Sequence, residues 1–284
     1  MFNKKKALVD LMGGLGNQIY QLNFANYLKN KGYDVYINLD WFYSGIFTDG
    51  TTKRSLHLNP DDFSLKVIDK STLTKFSQLD KLFQTKLMKG FKKSNINNVF
   101  SNHSGHTFNE NKYFKYNKFS GYWQNLKYIE KQNTYILNGL MKNSLFHENL
   151  NKISKNTLVH LRKTDYIKLG EDLPDSYYEK AIKEIKKMKG QVRYDIFTDE
   201  HNPSVDSKLF TNAENVYSNN GDEPLSVMAK MMNYENYIIA NSSFSLLPAF
   251  LSFKENSIVM YPEPWFKNSD MTSPTHNSWK KIIY

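Results

Sequence analysis

Four short clusters in this sequence combine residue types that bind anions or move protons. Gly13-Gly14-Leu15-Gly16-Asn17 follows a short apolar run. Glycine has no side chain to hold backbone amides away from an anion and tolerates positive φ. Asn17 could cap a following helix or offer its amide to a ligand. His160-Leu161-Arg162 ends another apolar run, and Asp165 follows in what reads as a loop. Residues i and i+2 of a strand share a face, so His160 and Arg162 point the same way. A planar guanidinium suits bidentate binding of a phosphate and offsets charge that grows on a leaving group. An Arg162–Asp165 ion pair that only steadies the loop is the plainer use. Asn241-Ser242-Ser243-Phe244 opens a helix after a strand, where free amides and two hydroxyls could face an anion or where a serine could simply cap the helix. Thr198-Asp199-Glu200 could hold a ribose or base edge, or end a strand in a turn.

Other chemistries lack their residues. The 284-residue chain has no cysteine, which removes thiol catalysis, Cys-ligated zinc or iron–sulfur sites and disulfide scaffolds. The glycine cluster is neither GxGxxG nor a P-loop, and no G-x-S-x-G elbow occurs. No D-x-D pair offers a metal–diphosphate clamp. His103 and His106, three apart in a Ser/Gly/Asn stretch, lack a third ligand and read as plain surface residues. No metal and no cofactor is expected.

The elements that must position the four clusters follow from periodicity. Residues 6–12 and 33–39 read as strands around a helix at 18–31, with Ile19, Leu22, Ala25 and Leu28 at helical spacing and Gly32 as its stop. Strands are expected at 157–162, 193–197, 237–240 and 257–261, and helices at 176–189, 224–233 and 243–253. Pro248 should kink the last of these. Residues 122–142 read as a helix and 143–155 as a polar connector, which divides the chain into domains at 1–150 and 151–284. Alternating strands and helices imply parallel, Rossmann-like sheets, and all four clusters fall at carboxyl ends of strands, where such sheets bind ligands.

The net charge is +10, yet only three of the 38 basic residues are Arg, at 54, 162 and 193. Nucleic-acid binding recruits Arg for phosphate and base contacts, so no nucleic-acid partner is expected, and an acidic small molecule or membrane surface suits the charge better. The amino-terminal apolar run stops at Asp10, too short for a signal peptide, and no stretch is long and apolar enough to span a bilayer. A soluble, cytoplasmic protein is expected. Residues 81–93 mix Leu, Phe and Met with five lysines; they could lie peripherally at an anionic inner-membrane face or form an ordinary domain helix.

Six blocks, GGLGNQIYQLNFA (13–25), GYWQNLKYI (121–129), HLRKTDY (160–166), DLPDSYYEKAI (172–182), DIFTDE (195–200) and YIIANSSFSLLPAFL (237–251), resemble in order those of bacterial α-1,2-fucosyltransferases of glycosyltransferase family 11. The resemblance implies a GT-B-like α/β fold, two Rossmann-like domains with the donor in the cleft, the acceptor on the amino-terminal side and the GDP-sugar on the carboxyl-terminal side. It implies metal-independent, inverting transfer of fucose from GDP-fucose to O2 of a galactose in a glycan acceptor, which could be lipid-linked. The family's HxRRGD falls on His160, Arg162 and Asp165, which makes Arg162 the diphosphate ligand. Gly13, Gly14, Gly16 and Asn17 would then lie by the diphosphate and fucose, Asn241, Ser242, Ser243 and Phe244 would add donor contacts, and Asp199 would reach the nucleoside. Asp165 or His160 would accept the acceptor's proton. The second Arg is Lys163 here and the Gly is Thr164, and Leu246-Leu247 replaces a tryptophan pair; these departures bear on acceptor choice and leave room for another GDP-sugar or an inert binding protein.

Overall fold

The computed structural model describes residues 5–43, 54–68, 99–102, 113, 116–129, 132–150, 153–204, 206–267 and 273–284. Residues 81–93 and both His103 and His106 lie outside them. The chain divides into two units, Met1–Gly139 and Leu140–Tyr284, against the 150/151 boundary expected from sequence.

In the first unit β1 (Lys6–Asp10), α1 (Leu15–Asn30) and β2 (Asp34–Asn38) form the expected β-loop-α-β turn, followed by α2 (Asp40–Tyr43), β3 (Lys66–Val67), β4 (Val99–Asn102), β5 (Lys118–Gly121), α3 (Leu126–Ile129) and α4 (Asn133–Leu140). The five strands pair in the order β3-β2-β1-β5-β4, all parallel. Ile19, Leu22, Ala25 and Leu28 are fully buried, but so are Gln18, Gln21 and Asn23. The helix is therefore enclosed on nearly every side, and the Gln18 and Gln21 amides serve as internal struts. Residues 122–142 are not one helix. Trp123 adopts a left-handed φ of 53°, stacked flat on Phe24 at 3.8 Å between ring centres, and the chain turns before α3 and again before α4.

The second unit holds α5 (Ser144–Asn149), β6 (Ser154–Leu161), α6 (Thr164–Leu169), α7 (Asp175–Lys189), β7 (Tyr194–Thr198), α8 (Lys208–Thr211), β8 (Asn215–Tyr217), α9 (Pro224–Met231), β9 (Tyr234–Ile238), α10 (Ser243–Leu251), β10 (Val259–Glu263) and β11 (Lys280–Ile283). The expected polar connector contains α5, capped where Phe146 N–H donates to Asn143 Oδ1 at 3.2 Å; buried Phe146 anchors it and α5 packs on α9. The sheet order, β11-β10-β9-β6-β7-β8, is parallel throughout. Strand order reverses between β6 and β9, the topological switch point of a doubly wound sheet. One core joins Val159, Leu161, Ile196, Ile238 and Met260 to Tyr177, Tyr178, Ala181 and Ile185 of α7. Asp175 in the first turn of α7 and Lys186, Lys187 and Lys189 in its last complement the helix dipole. α10 continues past Pro248 and ends at Leu251, two residues before the expected stop. Among the described residues no helix is long and apolar enough to cross a membrane.

Candidate active site

At the switch point of the second unit, β6 delivers His160 and, one residue past its end, Arg162. Asp165 lies in the first turn of α6, where the sequence suggested a loop. The guanidinium is held at both ends. Arg162 Nη2 donates to Asp165 Oδ2 at 2.8 Å and Nη1 pairs with Asp199 Oδ2 at 2.9 Å, while its carbon sits 5.4 Å from the centre of the Tyr166 ring. Arg162 Nε is buried without a hydrogen-bond partner.

Asp199 anchors this arrangement. Its Oδ1 accepts from the Lys163 and Thr164 amides at 2.8 and 3.3 Å, and its Oδ2 accepts from the Thr164 hydroxyl at 2.5 Å. Both oxygens are thereby engaged within the site that binds Arg162. Burial alone would raise the Asp199 pKa, but Arg162, the Thr164 hydroxyl and the Lys163 amide outweigh it and hold the carboxyl below its ordinary value. Thr164, the departure from the family's glycine, thus gains a use in fixing α6. Lys163 turns away, donating to Leu173 O at 2.9 Å with Asp172 Oδ2 at 3.7 Å.

His160 is buried, and its Nδ1 has no hydrogen-bond partner. Burial lowers its pKa far below the ordinary value, Asp199 partly opposes this and Arg162 reinforces it, so the ring is neutral at working pH. Its ring centre lies 6.2 Å from that of Phe244. Past the end of β9, Asn241 O accepts from Tyr166 Oη of α6 at 3.0 Å and Asn241 Nδ2 donates to Glu171 O at 2.9 Å, while Asn241 Oδ1 is buried without a hydrogen-bond partner. Ser242 is the α10 N-cap, accepting from Phe244 N–H at 3.3 Å; Ser243 is the first helical residue.

His160, Arg162, Asp165, Asp199, Asn241, Ser242 and Phe244 are therefore gathered at one place. The glycine cluster belongs to the first unit. Gly13 has a φ of 78°, and a Cβ there would fall 2.8 Å from Asn17 Nδ2. Gly14 is the N-cap of α1, so the amides of Leu15 and Gly16 precede the first helical hydrogen bond, Gln18 N–H to Gly14 O at 3.0 Å. Asn17 does not cap the helix; its Oδ1 accepts from Gln124 Nε2 at 2.6 Å. Two buried glutamines fix the loop. Gln18 donates to Gly13 O and Ser55 O, both at 2.9 Å, and Gln21 donates to Gly121 O while accepting from Met12 N–H, both at 2.9 Å. Sequence reading passed over these glutamines; two amides a turn apart beside a glycine loop are the signal that could have found them. It also passed over a pocket of about 200 Å³ lined by Asp10, Met12, Asn38, Asp40, Trp41, Lys118 and Ser120.

The model of glycosyl transferase family 11 matches residues 9–282. The chain belongs to glycosyl transferase family 11. As a family member it is a glycosyltransferase that works with a nucleotide-sugar donor and a glycan acceptor. An Escherichia coli alpha-1,2-colitosyltransferase is 25% identical over 96% of this chain and 97% of its own length. The O-antigen biosynthesis glycosyltransferase WbnK of Escherichia coli is 35% identical, over 43% of each chain. Among solved structures, the fucosyltransferase NodZ from Bradyrhizobium aligns with 88% of this chain and 92% of its own at 13% identity and a TM-score of 0.40.

Proposed function

We propose that this family-11 enzyme transfers L-fucose from GDP-fucose to a hydroxyl of a surface-glycan acceptor, O2 of a galactose, with inversion and without metal. The observation that carries the reading is the Arg162 guanidinium fixed at the switch point between Asp165 and Asp199, with buried polar atoms of His160, Arg162 and Asn241 lacking hydrogen-bond partners around it. Such atoms cost roughly 1–3 kcal/mol each, and a polar ligand that bonds them recovers that cost. A diphosphate brings acceptors for Arg162 Nε and for a neutral imidazole N–H. As the glycosidic bond to phosphate breaks, negative charge grows on the departing GDP, and a pre-oriented guanidinium stabilises it. The acceptor hydroxyl loses its proton as the new bond forms. Burial and Arg162 make the His160 imidazole a weak proton acceptor, which leaves Asp165 as the candidate base.

A second donor reading has its own support. The relative aligned over 96% of this chain is an alpha-1,2-colitosyltransferase, and colitose is L-fucose without its 3-hydroxyl. The test is competition: GDP-fucose, GDP-colitose and GDP-mannose offered together with a galactoside acceptor, the product identified by NMR. An α-1,2-linked fucoside as main product supports the proposal. A colitoside replaces the donor assignment, and GDP binding without any transfer leaves a nucleotide-binding protein.

A further inference from the structure

At the carboxyl ends of the first unit's central strands, Asp10 pairs in register with Asn38, and the register of Val9 with Phe119 carries Ser120 to the same level. Parallel neighbours in register share a face, so these three side chains and Lys118, two residues before Ser120, rim one side of the sheet. Asn38 braces the rim: its Nδ2 donates to Asp10 Oδ1 at 2.9 Å and its Oδ1 accepts from Asp40 N–H at 3.2 Å. That leaves several groups with no protein partner among the described residues: Asp10 Oδ2, the Asp40 carboxylate, Lys118 Nζ and the Ser120 hydroxyl. Trp41 supplies the one large flat surface in the pocket of about 200 Å³.

We propose that this pocket binds one pyranose ring of the glycan acceptor, with Asp10, Asp40, Lys118 and Ser120 taking its hydroxyls and Trp41 lying against its C–H face. The proposal rests on the glycosyltransferase reading. Two features carry it. The volume suits a single sugar ring and is well below the roughly 300–1,000 Å³ of larger-ligand sites. Carboxylates accept from hydroxyls, an ammonium donates and a serine hydroxyl does both, matching a molecule whose edge alternates donors and acceptors.

Trp41 also provides the probe. Of the four tryptophans, Trp123, Trp265 and Trp279 are buried, so a ligand entering this pocket perturbs the emission of Trp41 selectively. The full chain is titrated to tens of millimolar with methyl glycosides of galactose, glucose, N-acetylgalactosamine and fucose, and separately with GDP. At least one glycoside shifts the emission saturably, Trp41→Phe abolishes the shift, and Asp10→Asn weakens the affinity about tenfold, or about 1.4 kcal/mol. Both variants retain GDP binding, and in turnover Asp10→Asn raises KM for acceptor with KM for donor unchanged. Silence with all four glycosides while GDP still binds overturns the pocket and spares the transferase. A Trp41 shift caused by GDP alone assigns the pocket to the nucleotide and overturns it too. Absence of GDP binding by the wild-type protein instead sinks the reading of the second unit.

Discussion

The two units share a parallel-sheet plan and a switch point, yet they crowd those points with opposite chemistry. In the second, Arg162 is clasped by Asp165 and Asp199, so charge is concentrated, shielded and rigid. In the first, neutral amides of Gln18, Gln21 and Gln124 hold the glycine loop and its approach, and Asp10 Oδ2 and the neighbouring Asp40 carboxylate have no protein partner among the described residues. The contrast teaches that topology chooses where a site forms, while side chains at strand ends choose its ligand. A guanidinium fixed in place with its Nε unbonded suits a leaving diphosphate; hydroxyl-bonding groups beside a flat ring suit a sugar.

The sharpest way to break this comparison is to remove the charge from one side only. Arg162→Ala is expected to lower kcat by about 10²–10³-fold. It also leaves the Asp165 and Asp199 carboxylates unpaired and lowers the thermal midpoint, but the variant stays folded; an unchanged kcat in the folded variant would make Arg162 a structural residue. Asp199→Asn comes next. It loosens Arg162 and weakens the start of α6, and is expected to reduce kcat/KM by about 10–100-fold through misplacement, read as a kcat loss larger than the change in donor affinity. Unchanged kinetics would mean that Asp165 alone positions the guanidinium.

On the neutral side, Gly13→Ala tests the loop. Its φ of 78° and the 2.8 Å approach of Asn17 Nδ2 predict a destabilisation of about 1–2 kcal/mol by denaturant titration, with a smaller kinetic effect than Arg162→Ala. The smallest effect is expected from His160→Gln. The His160 pKa is depressed in the fold, so the unfolded chain takes up more protons as pH falls below 6.5, and the folded protein loses stability in that direction by up to roughly 1.4 kcal/mol per pH unit. Above pH 6.5 this contribution is fully present. The variant should show a flatter fall in thermal midpoint between pH 6.5 and pH 5; an identical slope would show that His160 titrates freely in the fold.

Much of this was legible in residue order. Ile19, Leu22, Ala25 and Leu28 announced α1, and His160 and Arg162 fell where a strand end had to be. What stayed hidden depends on distance in sequence or on a single anchor. Asp199 reads as a possible nucleoside contact until its pairing with Arg162, 37 residues earlier, engages it within the protein. The α5 helix rests on Phe146 alone, too little for a period. β8 and β11 are edge strands with mostly exposed residues, so neither alternates. Trp123 breaks the helical pattern of 122–142 by a left-handed turn that serves its stack on Phe24, which spacing cannot encode. Asp10 lay inside the first expected strand and Asp40 just past the second, yet only the parallel register brings them to one pocket.

The most direct test of the central claim is turnover in EDTA: GDP release and fucosylated product from GDP-fucose and a β-galactoside panel, wild type beside Arg162→Ala. Metal-free product formation by the wild type, lost in the variant although it remains folded, is the predicted result. Turnover that returns only with a divalent cation, or that persists undiminished without Arg162, contradicts it.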